Sequence, residues 1–396
     1  GQNGKTFEGI FDGGGKRIDN FVLDTGDTVN IGLIGKAGQN SGIKNLTVGS
    51  AASLSLSLSA SDNDKAIENV GMLVGYSAGS VENCTNNGKV TVSHAMDQTK
   101  SIVFPIKNVG GLAGVCEGNV SSCTNNGFVS VSETGVPYKA GKDEADWDDQ
   151  SILAINIGGI VGSAGALDSS LDKATSGAHG FVSGCANTGN VSVDTPQTNG
   201  IDRFGNVVYS QGSNVGGIAG YSRASIDSCY NSGYLSANHT TGVAGIVGSL
   251  RAKTTTSSYH GNFSQEGSDD GMTEGAASLS ITNCGNSGNV WGYAFPAGIA
   301  GRTGTNTSIE GCLNDSGTYV LGTRSTKPFP SGIVGSSYGT VAYCANLGTV
   351  AAGTWEDESL KTIKTSGGYF ASGIAGNISY FTKAEDGAQT RVSPLP

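Results

Sequence analysis

VGGIAGYSRASIDSCYNSGYLSA, residues Val215 to Ala237, decides the reading of this chain, because close copies recur along almost the whole sequence. Its first half is a Gly-[Ile/Leu]-x-Gly core. That core appears as GLIG (Gly32 to Gly35), GLAG (Gly111 to Gly114), GIVG (Gly159 to Gly162), GIAG (Gly217 to Gly220), GIVG (Gly245 to Gly248), GIAG (Gly298 to Gly301), GIVG (Gly332 to Gly335) and GIAG (Gly373 to Gly376), with a variant MLVG at Met72 to Gly75. The second half is Cys-x-Asn-x-Gly followed by an alternating apolar segment. It begins at Cys84, Cys123, Cys185, Cys229, Cys284 and Cys344, with a one-residue-longer version at Cys312. Self-similarity at a spacing of tens of residues is the mark of a stacked array.

Within each copy the spacing predicts three short strands: the Gly-x-x-Gly core, the segment leading to the cysteine (SVENC, NVSSC, SIDSC, TVAYC), and the segment after Asn-x-Gly. In the third, Val90 and Val92, Val129 and Val131, Val191 and Val193, Leu235 and Ala237, and Val350 and Ala352 alternate with polar residues. Three strands joined by tight Gly and Asn turns would make one triangular coil. Such a coil cannot bury its apolar side chains alone, so it must stack on the next with equivalent strands parallel. The expected fold is therefore all-β, a right-handed parallel β-helix, with roughly nine coils at about 4.8 Å each in a rod on the order of 45 Å long.

One domain is expected over 1–396, with first coils or a cap at 1–69, repeats with insertions at 70–376, and a cap or tail at 377–396. At the start, TFEGIFDGGGKRIDNFVLD (Thr6 to Asp24) reads as two short strands about a glycine-rich turn, Asp12 to Gly15. SLSLSLSA (Ser53 to Ala60) alternates so strictly that Leu54, Leu56 and Leu58 should share a core-facing side.

Seven of the eight cysteines, Cys84, Cys123, Cys185, Cys229, Cys284, Cys312 and Cys344, hold one repeat position, and Cys116 stands outside it. That spacing reports a structural register. Stacked about 4.8 Å apart, somewhat wider than the ~3.8 Å Cβ separation a relaxed disulfide needs, these thiols should be free and inert. The repeated Asn86, Asn125, Asn187, Asn231, Asn286, Asn314 and Asn346 suit tight turns and can form a stacked amide ladder.

The chain has 64 glycines, 14% charged residues, a net charge of −10 and a pI near 4.9. The apolar residues are periodic, so it should fold. The acidic balance and the lack of a basic stripe disfavour nucleic acid or an anionic membrane as partner. The longest apolar run, Ile152 to Val161, is too short and too interrupted to span a bilayer. No signal peptide is legible, and the start at Gly1 reads as that of a mature or trimmed chain, compatible with export.

The GLxG/GIxG cores with Cys-x-Asn-x-Gly tails resemble the GLUG repeat family of bacterial surface and secreted proteins, which includes adhesin-like proteins and non-catalytic regions of some IgA-cleaving metallopeptidases. The opening TFEGIFDGGGKRIDNF is similar to the turn often found ahead of those repeats. The resemblance covers about Thr6 to Gly376, implies a right-handed parallel β-helix at a bacterial surface, and carries over no catalytic residue. Met72 in place of glycine and the long insertions depart from a regular array.

Enzyme motifs find no suitable context. His-Glu-x-x-His is absent, and His94, His179, His239 and His260 lack metal-ligand spacing. Gly75 to Gly79 and Gly335 to Gly339 both fit Gly-x-Ser-x-Gly, but at one repeat turn and not where a strand enters a helix. The glycines before Lys16 lack the first Walker glycine, and Arg17 stands where Ser or Thr is needed.

Binding residues are expected on insertions carried by the rigid array. Linkers 93–108, 132–157 and 194–214 should leave one corner of successive coils, and 163–182 and 249–280 another. The densest constellation is KDEADWDDQ, where Asp143, Glu144, Asp146, Asp148 and Asp149 surround Trp147. Its carboxylates, at Asp143, Asp146 and Asp148 above all, could hold Ca²⁺, and Trp147 could offer a sugar an apolar face. The plainer alternative is a solvated acidic loop. Trp355, before Glu356, Asp357 and Glu358, repeats the theme. No other cofactor is expected.

The expected function is a non-enzymatic, secreted or surface-anchored binding scaffold, monomeric, whose ligand is a glycan or a surface protein. A polysaccharide lyase or glycoside hydrolase is the alternative, requiring paired carboxylates or a base beside an acidic groove. A passive stalk is the third reading.

Overall fold

The computed structural model describes residues 5–23, 29–59, 68–95, 106–134, 155–165, 180–195, 200–201, 207–208, 213–238, 240, 242–250, 278–304, 306–323, 329–357, 362–365, 371–378, 380–383 and 389–392. Of these, 200–201, 207–208, 354–357, 362–365, 377–378, 380–383 and 389–392 are described by backbone alone. Among the described residues every regular element is a strand.

One coil shows the plan. Asn69–Gly71 lies in sheet I, Val74–Ser77 in sheet II, Ser80–Glu82 and Thr85–Asn86 in sheet III, and Lys89–Ala95 in sheet IV. The coils stack in register, so the sheets grow to seven, nine, sixteen and ten strands respectively. Pairing between coils is parallel throughout, as in Val90↔Val129, Val129↔Val191 and Val191↔Leu235. The molecule is a parallel β-helix.

Each coil is not the triangle that the motif spacing suggested. Sheet I is an additional strand, Asn-[Val/Ile]-Gly, immediately before the Gly-x-x-Gly core, and the cysteine strand is broken in two. The break comes from the residue before each cysteine: Asn83, Ser122, Ser228, Asn283 and Tyr343 have φ of 48, 52, 53, 55 and 55°, and Gly184 and Gly311 have 58 and 63°. A left-handed residue turns the chain by a sharp angle and starts a new segment. Gly42–Val48, in the first coil, passes this corner at Asn45, φ 54°, within one strand and joins both halves of sheet III.

The N-terminal glycines make a bulge, not a hairpin. Ile10–Ile18 is one strand, parallel to Gly42–Val48, whose register passes from Asp12↔Lys44 to Lys16↔Leu46. Gly14 and Gly15, at φ 58 and 72°, absorb the extra residues.

The core follows from period-2 alternation. Val90, Val129, Val191, Leu235 and Val290 form one fully buried column, and Leu54, Leu56 and Leu58 are buried on one face while Ser55 and Ser57 are exposed. Met72 is buried too, at the place of the missing glycine.

Candidate functional site

The repeat asparagines form a continuous buried chain of amides. Asn86 Nδ2 donates to Asn125 Oδ1 at 2.9 Å, Asn125 to Asn187 at 2.9 Å, Asn187 to Asn231, Asn231 to Asn286, Asn286 to Asn314 and Asn314 to Asn346 at 2.8 Å each. Except at Asn314, where Ser316 takes the glycine's place, each Nδ2 also donates to the carbonyl of the glycine two residues on, as Asn187 does to Gly189 at 2.8 Å. Asn86 through Asn314 have no solvent exposure, so every link spares an amide that would otherwise be stranded away from water.

The cysteines fill the adjoining corner. All eight are free, and all but the half-buried Cys344 are buried. Each thiol of the column donates to backbone carbonyls, Cys123 Sγ to Ser121 O at 3.3 Å and Val81 O at 3.5 Å. Hydrogen bonds from neighbouring thiols of the column, then burial, push Cys123 and Cys229 up. Burial, above all, takes Cys116 up to about 12. Hydrogen bonds from the same neighbouring thiols hold Cys185 well below the usual thiol range and bring Cys284 down to about 5, so it is burial that shields the column from reagents and metals.

A second amide ladder, in sheet I, was not read from the motifs. Asn69 donates to Asn30 at 2.7 Å, Asn108 to Asn69 at 2.8 Å, and Asn156 to Asn108 and Asn214 to Asn156 at 2.9 Å each. Its signal, Asn-[Val/Ile]-Gly at the start of the glycine-rich core, is present at each of these positions but reads as part of a glycine turn.

The outward surface of sheet III mixes polar residues with exposed Phe181, Tyr230 and Leu313 and holds a third, exposed network. Asn126 Nδ2 donates to Asn87 Oδ1 at 2.8 Å and Thr188 Oγ1 to Asn126 Oδ1 at 2.7 Å. On the next coils Tyr230 leans over Gly285, where a β-carbon would come within 2.9 Å of the ring, and its hydroxyl bonds Ser287 Oγ at 2.6 Å. Ala186 and Gly285, on either side of Tyr230 in the same column, keep that ring uncrowded. The ring stays 43% exposed, which leaves an apolar face flush with a hydroxyl- and amide-lined surface.

Carboxylates on this surface stand on separate coils. Asp227 accepts from Thr282 Oγ1 at 2.6 Å, Ser228 Oγ at 2.8 Å and Asn283 Nδ2 at 3.1 Å, and these bonds lower its pKa. Glu310 stands two coils away, with Thr282 between. Among the described residues no group of three or more His, Cys, Asp or Glu is placed to hold a metal. Among the described residues the one buried acidic group is Glu133, beside His94 in sheet IV, its carboxyl pushed up to about 8 by burial.

The Gly-x-Ser-x-Gly serines sit in sheet II strands, fully buried, with Ser77 Oγ donating to Gly79 O at 3.0 Å and Ser337 Oγ to Gly339 O at 3.3 Å. They are turn caps. Residues Asp143, Glu144, Asp146, Trp147, Asp148 and Asp149 lie outside the described residues. Trp355 is on the strand Thr349–Asp357, opposite Ile363 in an antiparallel pair.

The large insertions are nevertheless placed by their ends. Lys89–Ala95, Val129–Thr134 and Val191–Asp194 are neighbours in sheet IV, and the strands that follow them, Asn108–Gly110, Asn156–Gly158 and Asn214–Gly216, are neighbours in sheet I. Three connecting segments thus leave and rejoin one corner of successive coils.

Compared with known proteins, the chain matches no family model, no curated protein and no solved structure.

Proposed function

We propose that this chain is a non-enzymatic binding scaffold of the adhesin kind, secreted or held at a cell surface, that presents its polar sheet III face and its insertion corner to a glycan or a surface protein. The observation that carries the reading is the exposed chain Asn87–Asn126–Thr188 and, on later coils of the same sheet, the open ring of Tyr230 bonded to Ser287. Amides and hydroxyls in register with an apolar ring suit a sugar's alternating hydroxyls and C–H faces. The resemblance to GLUG repeats supports the same reading.

The test is a screen of immobilised glycans and surface proteins with and without Ca²⁺, followed by analysis of the recovered ligand. Retention of intact ligand supports the scaffold, and dependence on Ca²⁺ brings in the Asp143–Asp149 loop. Shortened or unsaturated products would replace this reading with a carbohydrate-active enzyme.

A further inference from the structure

The two ends of sheet III are built differently. At the first coil the outer strand Ile10–Ile18 carries Asp12, Lys16 and Arg17 and the bulge at Gly14 and Gly15, the devices by which edge strands avoid pairing with other chains. At the last coil the outermost strands are Thr340–Ala342 and Ala345–Asn346. From Gly339 to Trp355 there is no charged residue and no proline.

Among the described residues, the coil that would cover this edge is begun in sheet II and adds no strand to sheet III. Ala375–Ile378 adds a rung to sheet II beyond Val334–Ser337. The next described strand, Tyr380–Lys383, pairs antiparallel with Gln389–Val392 instead of adding to sheet III. Tyr343 is left 93% exposed and Leu347 62% exposed.

The hydrogen-bonding pattern of the open edge can be read from the coils below it. Between the second and third coils, Val81 N and Asn83 N donate upward to Asn119 O and Ser121 O, while Cys84 O and Asn86 O accept from Thr124 N and Asn126 N. The same positions in the last coil are Val341 N and Tyr343 N as donors, and Cys344 O and Asn346 O as acceptors. The amide ladder has a direction as well: each Asn donates Nδ2 to the next Asn Oδ1, so Asn346, which receives from Asn314 and donates to Gly348 O at 3.2 Å, ends the ladder on a side-chain donor.

We infer that this edge is a docking site for an extended strand of a partner that carries Asn-x-Gly and adds in parallel as the next rung of sheet III. Backbone pairing supplies the general attraction of strand addition. The side-chain amide selects the sequence, because an apolar residue opposite Asn346 would bury its donor unpaired. Tyr343 and Leu347 give the arriving strand an apolar border, and the neutral edge repels neither sign of charge.

The probe is a fluorescein-labelled peptide copying residues 224–237 of this chain, with Ser in place of Cys229, titrated with the whole protein and followed by anisotropy. Saturable binding is expected. The same peptide with Asn231→Ala should bind roughly tenfold more weakly. In the protein, Val341→Pro removes one outward N–H from an edge position where proline is tolerated; it should abolish binding with the far-UV spectrum unchanged. No binding up to the solubility limit of the peptide would overturn the proposal. So would equal binding of the Asn231→Ala peptide or of a scrambled one.

Discussion

The carboxamide carbon of Asn231 stands 2.4 Å from where a β-carbon on Gly217 would lie, so the two residues can meet only because one has no side chain. The same holds for Asn187 on Gly159, Asn286 on Gly245, Asn314 on Gly298 and Asn346 on Gly332, at 2.4, 2.3, 2.5 and 2.2 Å. This contact explains why the two halves of the repeat travel together: Gly-x-x-Gly makes room for the amide that Cys-x-Asn-x-Gly delivers.

Gly217→Ala is accordingly expected to destabilise the rod by about 1–3 kcal/mol, the cost of overpacking a filled interior. Gly373→Ala is the control, since nothing lies within 4 Å of its β-carbon position, and should leave stability unchanged. Guanidinium denaturation of both variants checks the pair. Equal midpoints would remove the amide-on-glycine contact as a constraint.

Tyr343 holds φ at 55° where the equivalent corners use Asn, Ser or Gly. A bulky L residue is strained there by about 1–2 kcal/mol, and its side chain is almost wholly exposed. Tyr343→Gly should therefore raise stability by about 1 kcal/mol, part of the relief being offset by the greater freedom of glycine in the unfolded chain. A fall in the denaturation midpoint would contradict this.

Glu133 gives the rod a pH dependence of definite sign. Its carboxyl keeps a proton in the folded chain up to about pH 8, whereas the unfolded chain releases it near pH ~4.3. Stability contributed at this site is full below the lower value and falls as pH rises across the window, by at most about 1.4 kcal/mol per pH unit. Glu133→Gln should be more stable than the parent at pH 8.5 and should lose that advantage at pH 4. An advantage independent of pH would show that burial of the carboxyl is not its source.

Thiol accessibility separates the cysteines. With an aromatic disulfide reagent at neutral pH, only the half-buried Cys344 should react on the folded chain, and slowly. The others should react after denaturation, since all are buried and the thiolate is the reacting form. Rapid reaction at Cys185 or Cys229 in the native protein would sink the picture of a sealed column.

The stacked coil was legible because alternation leaves only one face for Val90, Val129 and Val191, and because Asn recurs at a fixed distance after Cys. The extra strand was hidden. Asn69-Val70-Gly71 and its equivalents are three residues long and end on a glycine beside the Gly-x-x-Gly core, so they look like a turn. The corner before each cysteine left no motif either, because what is shared there is a backbone conformation, met by residues as unlike as Asn83, Ser122, Gly184 and Tyr343. Nor was the outward network visible in advance: Asn87, Asn126, Thr188 and Tyr230 are ordinary polar residues until the stacking register brings them together. The charged stretch around Trp147 stands out in composition, which reports what it could bind and not where it lies.

The most direct test of the scaffold reading is retention of the wild-type chain and of Tyr230→Ala on a glycan and surface-protein array, with matching far-UV spectra and recovered ligands checked for size. The account predicts that the wild-type chain retains an intact ligand and that Tyr230→Ala, which removes the exposed ring but no core contact, retains it roughly tenfold less well. Cleaved ligand, or retention that does not change without the ring, would contradict it.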